Sequence, residues 1–154
     1  MKIIIFTLVS AILAVGLFSN VSFAEAPQKG FNDYTVIELI DYIAPQFEQD
    51  PNLISKISYC ESWHKIVKHD GGRGVNITGI HDSTFNGWLP EYEKEVGETL
   101  DIKSSFDQLK MMSWAFSKGE SYRDDWTTYV AYKKGGEYTF KSKLLGKIFT
   151  VRCK

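Results

Sequence analysis

Two cysteines among 154 residues are too few for a disulfide-framework miniprotein or a four-cysteine zinc site. Prolines number only four, and no repeat or low-complexity tract is present, which argues against collagen-like, coiled-coil and disordered classes. An excess of charge of either sign is missing too. With 18 basic and 19 acidic side chains the net charge is −1, whereas a general nucleic-acid binder is strongly basic. There is no P-loop, dinucleotide fingerprint or G-x-S-x-G. His64, His69 and His81 form no H-x-x-x-H pair and read as surface or groove residues. What is there is 44% apolar and 14% aromatic, in a length that suits one compact domain.

The N-terminus reads as a leader. Met1-Lys2 is followed by an uncharged apolar run from Ile3 to Phe18, then Ser19-Asn20, then the small-x-small site Ser22-Phe23-Ala24. The expectation is a signal peptide over 1–24, cleaved near Ala24, and an exported chain with no membrane contact afterwards. The alternative is an uncleaved anchor, for which the run is short. Beyond the leader the charge is uneven. Residues 25–137 hold 12 basic and 19 acidic groups, while 138–154 hold Lys141, Lys143, Lys147, Arg152 and Lys154 with no acid. The first stretch is the expected domain and the second a basic tail, expected to dock on it. Export permits Cys60 and Cys153 to bond, which would staple that tail beside residue 60; a buried thiol with a frayed terminal one is the alternative.

Val36, Leu39, Ile40, Ile43, Ala44 and Phe47 recur at three and four, predicting a helix over 35–48. Asp50-Pro51 supplies a cap and a first-turn proline for a second helix to Ser62. Positions 63–88 read as polar, glycine-rich loop. A helix from Ser104 carries Phe106, Leu109, Met112 and Phe116 towards a stop at Gly119, and another fits 126–134. Residues 137–151 allow a strand or an extended tail. The fold class is therefore mainly α, one domain, with room for a small extended or β segment.

The second helix holds the most informative residue. Ile54, Ile57, Ser58 and Glu61 fall on one stripe, which puts a carboxyl in line with an apolar face, at the helix end where the dipole disfavours an anion. A Glu that keeps its proton near neutral pH suits a general acid. A Glu at a helix edge, paired with Lys65, is the plainer alternative. Trp63 beside it is a candidate to stack on a sugar ring. Asn76-Ile77-Thr78 matches a glycosylation acceptor, a pattern too common by chance to carry weight.

Three segments, taken in order, resemble the lysozyme-like lytic transglycosylases, including the resuscitation-promoting-factor type. Asp50 to Ser62 (DPNLISKISYCES) is similar to their first catalytic helix with its Glu-Ser pair. Thr78 to Trp88 (TGIHDSTFNGW) is similar to their Ser-Gly-Ile/Leu-x-Gln-x-x-Pro-x-Thr-Trp segment. Tyr129 to Gly136 (YVAYKKGG) is similar to their Ala-Tyr-Asn-Ala-Gly stretch. Together these span roughly 50–136, with order and spacing kept.

The resemblance implies a lysozyme-like domain that cuts peptidoglycan glycan strands between N-acetylmuramic acid and N-acetylglucosamine. Glu61 would be the acid/base, and Tyr132 would orient it. Ser62, Trp63, Gly79, Ile80 and Asp82 would contact substrate. The implied protein is a monomer with no cofactor, no metal and no nucleic-acid partner. Asp82 stands where the family has Gln, so a hydrolytic muramidase with Asp82 as second carboxylate is the rival reading. Phe85 and Gly87 replace the family's Pro and Thr. Lys133 and Lys134 replace Asn-Ala, and a lysine beside Glu61 would oppose the acid role. A third reading is an inactive glycan-binding module.

Overall fold

The computed structural model describes residues 34–69, 72, 74–142 and 146–154. The expected leader lies outside them. Among the described residues no helix is long and apolar enough to cross a membrane. The chain is mainly helical, with two small antiparallel hairpins.

Helix α1 (Val36–Ile43) opens with a reciprocal cap: Thr35 Oγ1 accepts from the Glu38 amide, and the Glu38 carboxylate accepts from the Thr35 amide at 2.8 Å. Its period continues to Phe47, but Pro45 cannot donate to the carbonyl four residues back. The expected single helix therefore gives way to a 3-10 turn at Ala44–Phe47, ending on Glu48 at φ 57°. Helix α2 (Pro51–Ser62) has the bounds its sequence predicts. Asp50 caps the Asn52 amide at 2.9 Å, and Trp63 closes the helix in the left-handed region at φ 54°.

Strands β1 (Val67–His69) and β2 (Gly74–Asn76) pair antiparallel within the stretch expected to be loop. Helix α3 (Asp82–Val96) begins in that stretch as well, and it buries Phe85 and Tyr92. Helix α4 (Ser105–Ser117) is the spine: from Gln108 to Phe116 every residue but Lys110 is buried. It packs against α1, the 3-10 turn, α3 and the short helix α5 (Glu120–Arg123). Helix α6 (Thr127–Lys133) lies against α2 and against the second hairpin, β3 (Glu137–Lys141) with β4 (Ile148–Arg152).

That hairpin is the form taken by the basic tail. Tyr138 and Val151 pack on the core, and the Cys153 amide donates to Gly136 O at 3.0 Å. Cys153 is buried and disulfide-bonded to Cys60 on α2, with Cα atoms 5.4 Å apart. The cation-rich segment is thus tied to the last turn of α2, next to Glu61.

One charged cluster fixes the loop after α3. Tyr92, fully buried, donates to Glu98 Oε1 at 2.5 Å, and Lys110 Nζ donates to both Glu98 oxygens at 2.8 and 2.9 Å. Burial pushes the Glu98 carboxyl up, but the hydrogen bonds from Lys110 and Tyr92 and the Lys110 charge outweigh it and hold it below its ordinary 4.5. A depressed carboxylate contributes stability above its unfolded pKa and loses it as pH falls through the folded one. Asp107 close by is pushed up, by burial first, and works in the opposite sense. Glu98→Gln should therefore be less stable than the parent at neutral pH, with the gap closing as pH drops below about 4.5. Urea midpoints at neutral and acid pH measure this; an equal gap at both would refute it.

Candidate active site

Glu61 occupies the last turn of α2 and is half-buried. Thr128, in the first turn of α6 and 5% exposed, donates its hydroxyl to Glu61 Oε1 at 2.5 Å. A donor held against the carboxyl in partial burial fixes its rotamer. The other oxygen lies against Gly79. A Cβ at Gly79 would come within 2.7 Å of Glu61 Cγ and closer still to the carboxyl, and its φ of +75° is itself a glycine conformation. Glycine is required at 79 on both counts.

The turn that brings Gly79 there is held from four sides. Asn76, fully buried at the end of β2, accepts from the Gly79 amide at 2.7 Å and the Thr78 amide at 3.1 Å, and donates to Ile80 O at 2.6 Å. Ser58 and Ser62 on α2 both donate to Ile77 O, at 2.9 and 2.7 Å. Gln108 on α4 accepts from the Ile77 amide at 3.0 Å, and Trp126 Nε1 donates to Thr78 O at 2.6 Å. Two helices, the residue that caps α6 and the Asn76 amide thus clamp the backbone facing the carboxyl. Fully satisfied buried networks of this kind are rigid.

An open cleft of about 210 Å³ starts at Gly79 and Ile80 and is lined further by His81, Thr84, Trp88, Asp125 and Trp126. Gly79 is the wall it shares with Glu61. The Trp88 and Trp126 rings stand 5.7 Å apart. The Asp125 carboxyl is pushed above the usual range, by loss of hydration first and by the Asp124 charge second.

The residues named from sequence divide as follows. Gly79 and Ile80 line the cleft, and Glu61 lies against Gly79 without itself lining it. Trp63 stands out from the surface at 69% exposure, two residues from Glu61. Ser62 is buried, and its hydroxyl holds the turn from inside. Asp82 is exposed in the first turn of α3, while the carboxyl lining the cleft is that of Asp125. The hydroxyl on Glu61 comes from Thr128, one turn before Tyr132, which is 44% exposed. Lys133 is engaged by Glu120 and Asp124, and Lys134 sits over the Tyr138 ring at 4.1 Å. Asn76, matched to a glycosylation pattern, is enclosed. Among the described residues no cluster of three or more His, Cys, Asp or Glu could hold a metal ion.

Asn76, Thr128, Asp125 and Trp126 were not named as site residues from sequence. Asn76 left a signal, a polar residue between Val75 and Ile77 at the mouth of a glycine turn; Thr128 left none. No protein-family model, curated protein or solved structure matches this chain.

Proposed function

We propose that this chain is an exported enzyme that cleaves peptidoglycan glycan strands as a lytic transglycosylase, with Glu61 as its single acid/base. The observation that carries the reading is Glu61 itself: half-buried, held by Thr128, and laid against a glycine turn whose Gly79 lines a cleft with two tryptophans. Tryptophan faces suit the C–H faces of sugar rings.

Protonated Glu61 gives its proton to the bridging oxygen. The bond from that oxygen to the muramic C1 breaks, and the glucosamine side leaves as an alcohol. The substrate's own acetamido oxygen holds the positive C1. Glu61, now a carboxylate, takes the proton of the muramic C6 hydroxyl as its oxygen bonds C1 and closes a 1,6-anhydro ring. Water is not consumed and Glu61 ends protonated, so no second carboxylate is needed. Mass spectrometry of sacculi digested with the purified protein tests this. Fragments one water lighter than hydrolytic ones support it, and fragments at the hydrolytic mass refute it. Hydrolysis is the second reading. Asp125 favours it over the Asp82 version, because Asp125 lines the cleft.

Thr128→Val keeps the shape of the side chain and removes the donor. Cleavage should fall about 10- to 100-fold, in line with one lost charge-assisted hydrogen bond, with a small change in unfolding midpoint. Thr128→Ser should retain most activity. Equal loss in both variants would mean that the methyl, not the hydroxyl, matters.

A further inference from the structure

The β3–β4 hairpin divides into a docked root and an undocked outer end. Its register pairs Tyr138 with Val151 and Phe140 with Phe149, so these four side chains share one face. Tyr138 stacks on Phe140 at 5.5 Å and Phe140 on Phe149 at 6.0 Å. Tyr138 and Val151 end that row in the core. Two to three residues further out, about 7–10 Å along the strand, the apolar surface is uncovered: Phe149 is 38% exposed, and Ile148 on the opposite face is 73% exposed. Lys141 and Lys147 are exposed beside them. Glu137 engages Arg152 at the root, and no acid follows it through residue 154.

We propose that the outer end of this hairpin docks on an anionic lipid bilayer, with Ile148 and Phe149 entering the headgroup region and Lys141 and Lys147 on lipid phosphates. Charge complementarity favours this occupant. The body over 25–137 has seven more acids than bases and is repelled by such a surface, while the hairpin is attracted, so the molecule approaches hairpin first. Apolar groups on both faces of the outer end distinguish a bilayer from a soluble polyanion. A glycan or polyphosphate chain can lie on the Phe140–Phe149 face and leaves Ile148 in water. A headgroup layer surrounds both faces. This departs from the sequence-based expectation of no membrane contact after export, and it does not depend on the reaction at Glu61.

The test is co-sedimentation of the full chain with vesicles of phosphatidylglycerol and phosphatidylcholine, against phosphatidylcholine alone. The N-terminal apolar run is common to all variants, so differences between them read the hairpin. K141Q/K147Q should weaken binding to the anionic vesicles on the order of 30-fold. I148S/F149S should weaken it about 10-fold or more at unchanged net charge. K68Q/K103Q, which removes the same charge from exposed sites on the body, should change it little. Circular dichroism and a thiol titration establish that each variant is folded with its disulfide closed. Equal loss in K68Q/K103Q would overturn the proposal, as would an I148S/F149S variant that binds like the parent. So would binding to soluble polyphosphate that matches binding to vesicles and depends on the lysines alone.

Discussion

Glu61→Gln is expected to lower glycan-strand cleavage by about 10²- to 10⁴-fold, the range supplied by a positioned acid/base. The substitution is close to isosteric. The Gln carbonyl can still accept from Thr128, and no larger group meets Gly79, so the packing that fixes the side chain is preserved. What goes is the exchangeable proton. Unfolding should shift by no more than about 1 kcal/mol, since the hydrogen bond from Thr128 is kept. Muropeptide release from sacculi, beside a thermal melt of the same sample, measures both. If Glu61→Gln releases fragments at the parent's rate, Glu61 is not the acid and the cleavage reading fails. If the parent releases none and both proteins bind sacculi equally, the fold is a glycan-binding module.

Breaking the Cys60–Cys153 bridge should be the most damaging single change to stability. It closes a loop of 93 residues, and the chain-entropy model assigns such a loop about 4–5 kcal/mol. Domains of this size are stable by about 5–15 kcal/mol, so the loss takes a large share of the total. The effect is also local. Cys60 adjoins Glu61, and Cys153 follows the hairpin that packs on α6, the helix carrying Thr128. The Cys60→Ala/Cys153→Ala pair avoids leaving a thiol in the core. It should unfold at clearly lower urea, and it should lose activity at temperatures where it is still folded. Urea curves of the parent with and without reductant should reproduce the shift. A loss below about 1 kcal/mol would show that packing of Tyr138 and Val151 already fixes the hairpin.

Sequence made the helices legible where local signals agreed. Asp50-Pro51 and the stripe through Ile54, Ile57 and Glu61 define α2, and Ser104 with its apolar period defines α4. Helix α3 was hidden although Phe85, Trp88, Leu89, Tyr92 and Val96 recur at helical spacing, because its first turns fall in the polar, glycine-rich stretch 63–88 expected to be loop. Pro90 is tolerated there because burial of Phe85 and Tyr92 outweighs one missing backbone bond. At the site, Glu61 and Gly79 were legible and the group orienting Glu61 was not. Periodicity locates α6 but leaves open how it is rotated against α2. Whether Thr128 or Tyr132 reaches the carboxyl therefore depends on packing 67 residues away in the chain. The turn around Asn76 is the reverse case. Its hydrogen bonds span two to four residues, so it was local in principle and was obscured by a common motif.

The aromatic chain behind the cleft gives the molecule its own optical reporter. Trp88 and Trp126 line the cleft, and ring contacts of 5.1 to 5.7 Å connect them through Tyr122 to Trp114 and on to Tyr92. Light absorbed anywhere along that row can be handed to the indoles at the cleft wall. Trp114 and Trp126 are buried and should emit towards the blue, whereas Trp63 is exposed and should emit towards the red. A saccharide covering the half-buried Trp88 should shift its emission towards the blue and brighten it. Occupancy of the cleft can then be followed by intrinsic fluorescence, without a label and without turnover.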